Sequence, residues 1–83
     1  MATEPDWLKK AKETHHFHRE QCLSHSTKWT ITKTASLLRR SFGSVAEDLM
    51  LAKWSKSYDL SQFEYAFEAL MFIRMKKKEQ DLE

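Results

Sequence analysis

The sequence predicts an all-α domain of four helices, and three observations carry that expectation. Its 83 residues include one Gly and one Pro, too few for the many turns of a β architecture. Apolar residues recur at helical spacing in four segments, each opened by a capping residue and preceded by a polar break. Hydrophobic residues at 41% and charged residues at 31% match a folded chain, not a disordered one. This length makes one domain, residues 1–83, with a core small enough that a partner or second subunit is expected.

The first helix is expected over about 6–23, with Asp6 as N-cap, Pro5 outside it, and Trp7, Ala11, His15 or His18, and Cys22 at helical spacing. Residues 24–27 form a polar break. The second helix spans about 31–39, capped by Thr30 or Thr32, with Ile31, Thr34/Ala35 and Leu38 as its apolar stripe. The third, about 42–57, opens at Ser41, whose hydroxyl can accept from the N–H of Ser44. Glu47 and Asp48 lie in its early turns, where the helix dipole favours negative charge. Val45, Leu49 and Ala52 make its inner stripe. A second stripe of Leu51, Trp54 and Tyr58 lies about 200° away, so this helix is sandwiched or meets a partner.

The fourth helix is expected over about 61–78, capped by Ser61 or Asp59. Ten of the fourteen residues from 62 to 75 are apolar or aromatic, more than one side of a small core can cover. Phe63, Phe67, Leu70 and Ile73 or Arg74 are assigned to the core. Tyr65, Met71, Phe72 and Met75 point elsewhere, which suggests a homodimer through this helix. Lys76, Lys77 and Lys78 complement the dipole at its end, and residues 79–83 are expected to fray.

Net charge is only +2, but it is unevenly placed. Between 28 and 56, six bases (Lys28, Lys33, Arg39, Arg40, Lys53, Lys56) face two acids (Glu47, Asp48), a local charge of +4. Between 57 and 73 the three acids Asp59, Glu64 and Glu68 meet no base. A basic segment is the footprint of phosphate binding. No apolar run approaches the roughly 20 residues of a membrane span, the N-terminus lacks a secretory pattern, and the single Cys22 cannot form an internal disulfide. A cytoplasmic location, in a bacterial host cell, is expected.

The basic segment is also where two short helices meet at a tight break. Residues 30–53 resemble the helix-turn-helix of bacterial, plasmid and phage DNA-binding proteins, partition proteins of the ParB type and small phage regulators among them. The matching residues are Ala35, a small residue where the two helices would cross, then Leu38, Ser41, Val45 and the Glu47-Asp48-Leu49 close. Arg39 stands where the turn usually carries glycine, in a position that often needs positive φ; Gly43 comes four residues later. The resemblance covers about a third of the chain and implies double-stranded DNA as partner, with transcription regulation or DNA architecture as the role. It implies that Ser41, Phe42, Gly43 and Ser44, followed by Ala46, Glu47, Met50 and Lys53, face the major groove. Neither Arg nor Asn lies in the first two turns of that helix, so strong bidentate base contacts are missing; Glu47 could accept from a cytosine amine. Lys28, Thr30, Thr32, Lys33, Arg39 and Arg40 are placed as phosphate clamps.

Other chemistries have weaker support. His15, His18, Cys22 and His25 share a helix face, but they spread over about 15 Å of axis, too far for one tetrahedral site. No metal or other cofactor is expected. There is no glycine-rich phosphate loop and no acid, base and nucleophile pattern, so an enzyme is not expected. The rival reading is a protein-binding inhibitor or adaptor aimed at a host complex, in the manner of small phage-encoded inhibitors such as anti-CRISPR proteins. Trp54, Tyr58, Tyr65, Phe72 and Met75 would be its partner-facing anchors, with Phe42 beside them, because buried aromatics dominate interface energetics.

Overall fold

The chain folds into four helices, α1 (Asp6–Ser24), α2 (Ile31–Leu38), α3 (Phe42–Trp54) and α4 (Ala66–Asp81), with one 3₁₀ turn, Leu60–Gln62, before the last. The computed structural model describes residues 4–25 and 28–81, and no strand occurs among them. The part of the expected polar break at 26–27 and the end of the expected frayed tail at 82–83 lie outside the described residues.

Pro5, not Asp6, is the N-cap of α1. Its φ of −61° and ψ of 152° set the chain direction, and its carbonyl accepts from Leu8 and Lys9. Asp6 sits one residue inside, where its charge meets the exposed amides of the first turn. The buried face of α1 is Leu8, Ala11 and Thr14; of the expected Trp7-to-Cys22 line Ala11 is buried, Trp7, His15 and His18 are half-buried, and Cys22 is exposed. Trp7 is half-buried because its indole N–H has a distant role. It is shared by the carbonyls of Phe63 and Glu64 at 3.2 and 3.1 Å.

That indole explains why α4 starts at Ala66 and not at about 61. A helix running through 63 and 64 would need both carbonyls for its own ladder, and Phe63 is extended, with φ −94° and ψ 132°. Upstream, the Asp59 carboxylate accepts from the Ser61 N–H and closes the 3₁₀ turn. Downstream, the Glu68 carboxylate reaches back to the Tyr65 N–H at 3.1 Å, half of a capping box, and restarts the helix. At its other end α4 runs on through 79–81, which were expected to fray. Helix α3 stops at Trp54, three residues early. The chain there tightens into turns in which Lys56 and Ser57 donate to the carbonyls three residues back.

Helix α3 is the hub. It touches α1, α2 and α4, and its largest interface is with α1. Both expected stripes are therefore in use: Val45 and Ala52 on one side, Leu51 on the other, are all buried. Leu51 joins Ala11, Leu60, Ala69 and Ile73 in the apolar core, ringed by half-buried Trp7, Trp54, Tyr58, Phe63 and Phe72. Phe72 packs edge-on to Tyr58 and tilted against Phe63, so its expected outward role is corrected. Phe67 is the converse: expected in the core, it is 61% exposed. The molecule measures 36 × 36 × 20 Å. Its short dimension is about two helix diameters, so every helix has a face without a neighbour behind it.

Candidate nucleic-acid interface

Two caps and one unusual backbone conformation shape the corner between α2 and α3. The Thr30 hydroxyl accepts from the Lys33 N–H at the start of α2, and that of Ser41 accepts from the Ser44 N–H at the start of α3. Between them Arg39 adopts φ 56° and ψ 43°, the left-handed region. Its N–H donates to the Ser36 carbonyl at 3.2 Å, and the Arg40 N–H donates to that of Ala35 at 3.0 Å. This pair of bonds is the Schellman arrangement that ends a helix and turns the chain sharply. Glycine would fill the position without strain; Arg39 holds it at a cost of about 1–2 kcal/mol.

Arg40 differs from its neighbour in every respect. Its guanidinium turns inward and donates to the Asp48 carboxylate at 2.7 Å, to the Ser44 hydroxyl at 2.6 Å and to the Thr14 hydroxyl at 2.9 Å. Side-chain exposure is 19% for Arg40 and 13% for Asp48. The Thr14 hydroxyl has one proton to give, with the Lys10 carbonyl and Asp48 both at 2.9 Å. Arg40 therefore ties α1, the turn and α3 into one unit, and its assignment as a phosphate clamp is corrected. Ser44 is corrected with it, because its hydroxyl serves Arg40. Asp48, read as a dipole partner, is the buried counter-charge. Arg40, Ser44 and Asp48 lie at i, i+4 and i+8, a spacing that could have disclosed the pairing.

A second polar cluster anchors α2 to α1. Thr34, fully buried, accepts from the Trp29 indole at 2.7 Å and lies 2.5 Å from His18 Nδ1. The other ring nitrogen of His18 meets Cys22 Sγ at 3.6 Å. The His18 ring thus bridges Thr34 on α2 and the exposed Cys22 on its own helix. Among the described residues no group of three or more metal-binding side chains converges. His15, beside them, has its pKa lowered below 6.5, chiefly by burial and then by the charges of Lys56, Arg19, His18 and His16.

Around this corner the remaining site residues of the sequence reading are exposed. Lys28, Thr32, Lys33 and Arg39 surround α2, with the Lys33 ammonium 5.6 Å from the Trp29 ring centre. On α3, Phe42, Gly43, Glu47 and Lys53 face outward. A Cβ placed on Gly43 would meet nothing within 4 Å, so the first turn of α3 has open space before it. Met50 continues this strip and carries Lys77 of α4, whose ammonium lies 3.3 Å from its sulfur. Lys77, read as a dipole complement only, is brought to the edge of the strip by tertiary packing. Leu37 and Phe42, both more than half exposed, flank the turn.

Comparison with protein-family models, curated proteins and solved structures finds no match. No helix among the described residues is long and apolar enough to cross a membrane.

Proposed function

We propose that this protein binds double-stranded DNA through the α2–α3 corner, as a regulator or architectural factor of phage or plasmid type. The observation that supports this most is the uncovered outer face of the first half of α3. Phe42, Gly43 and Glu47 stand clear of the globule, while Arg39, Lys33 and Lys28 flank them and Lys53 and Lys77 follow. A helix with open space before it and cations beside it can lie in the major groove. The exposed cations contact phosphates and set position; Glu47 supplies base preference by accepting from a cytosine amine, and Phe42 packs on a thymine methyl. Arg40 contributes by holding the corner rigid. Two copies joined through α4 double these contacts on paired half-sites.

The test is a fluorescence-anisotropy titration of random-sequence and selected duplexes at several salt concentrations. Arg39→Ala with Lys33→Ala lowers affinity at all sequences and reduces the salt slope by about 2, one per lost phosphate contact. Glu47→Ala changes base preference with little loss of nonspecific binding. No duplex binding at low salt ends this proposal.

One observation favours the rival, a protein-binding inhibitor or adaptor. A cleft of about 580 Å³ between α3 and α4 is lined by Leu49, Met50, Lys53, Trp54, Tyr58 and Lys77, with the Trp54 and Tyr58 rings stacked at 5.6 Å. An acidic segment with an apolar anchor would suit it. Under that reading Trp54→Ala abolishes capture of a host protein from nuclease-treated lysate, and Arg39→Ala leaves capture unchanged.

A further inference from the structure

We infer that α4 pairs antiparallel with α4 of a second copy, with Met71 near the two-fold axis. This deepens the dimer part of the functional reading but stands without DNA.

Phe67, Met71 and Met75 recur every four residues along α4 and are 61%, 58% and 62% exposed. Tyr65 stacks on Phe67 with ring centres 5.6 Å apart and lengthens the stripe. The face opposite is the one that meets the core, through Ala69 and Ile73. So α4 is apolar on both sides, and only one is covered by this chain.

Charge selects the occupant and its direction. The stripe begins beside Glu64 and Glu68 and ends beside Arg74 and Lys78. Among the described residues none of these four is in an ion pair. A parallel second copy would set acid against acid and base against base. An antiparallel copy sets Glu64 against the partner's Arg74–Lys78 end, twice by symmetry, and lays Phe67 over the partner's methionines. A face that complements its own reverse is what an isologous contact requires.

Sedimentation equilibrium of the full chain without DNA tests this, with helicity followed by circular dichroism. The wild type is expected to be dimeric at micromolar concentration, and Met71→Lys monomeric. Glu64→Lys alone, and Arg74→Glu with Lys78→Glu, each weaken association about tenfold, since every change acts twice in the dimer. The triple variant recovers to within about threefold of the wild type. A monomeric wild type overturns the inference, as does a triple variant no tighter than its parents. A dimer that binds no duplex would sink the DNA proposal alone.

Discussion

The two ends of α3 are held by opposite chemistry. Its N-terminal half is fixed by polar groups: half-buried Arg40 and Ser44 exchange hydrogen bonds with buried Asp48 and Thr14. Its C-terminal half lies in apolar and aromatic packing, Leu51 against Leu60 and Ile73, with Trp54, Tyr58 and Phe72 around them. The polar end is directional and tolerates little change of chemistry. The apolar end depends on volume and tolerates substitution that preserves it. A binding corner benefits from the first arrangement, because direction decides which face of α3 stays open. The surfaces that would gather partners by bulk contact, around α4 and the cleft, are built by the second.

The sharpest way to break this contrast is an isosteric change at each end. Asp48→Asn keeps the shape but removes the counter-charge of a buried guanidinium, and costs about 3 kcal/mol in urea unfolding. Arg40→Met with Asp48→Leu removes both charges and is expected to recover most of that loss. At the apolar end Leu60→Met, also volume-conserving, costs less than about 1.5 kcal/mol. Equal costs for Asp48→Asn and Leu60→Met would erase the distinction between the two halves.

A smaller effect of opposite sign is expected at the turn. Arg39→Gly relieves the left-handed backbone but loosens the unfolded chain, for a net gain of about 0.5–1 kcal/mol. The same change removes an exposed cation, so stability rises while duplex affinity falls. A fall in both would mean that the Arg39 side chain also supports the corner.

The smallest expected effect is on pH. His15 has a folded pKa below its unfolded 6.5, so below that value the unfolded chain binds more protons than the folded one. Its contribution to stability is complete above pH 6.5 and is lost as pH falls from there through the folded value. His15→Gln flattens unfolding midpoints between pH 7.5 and 5.5, and Lys56→Gln reduces the slope by removing the charge that repels the protonated ring most. A slope unchanged by His15→Gln would assign the dependence to another histidine.

Much of the candidate site was legible because it is local. Thr30 and Ser41 cap helices whose amides lie three residues away, and the residue at position 39 was marked as the one requiring positive φ. What misled was the count of charges. Arg39 and Arg40 are adjacent and alike in sequence, yet one is exposed and the other is half-buried and turned inward. The direction of Arg40 depends on Thr14, twenty-six residues away, and no window of helical periodicity spans that distance. Phe67 and Phe72 were exchanged for a similar reason. Five residues apart on one apolar helix, they differ in what α4 leans against, and the lean is set by Ala69 and Ile73 meeting α3.

The chain alone determined that there would be four helices, where three of them begin, and that basic groups would gather around the second and third. Those are short-range consequences of caps, dipoles and 3.6-residue spacing. Folding in three dimensions decided which arginine is internal and where α4 begins, because a guanidinium and an indole each satisfied partners far along the chain. Burial without a partner is costly, so those long-range bonds overrode the local pattern.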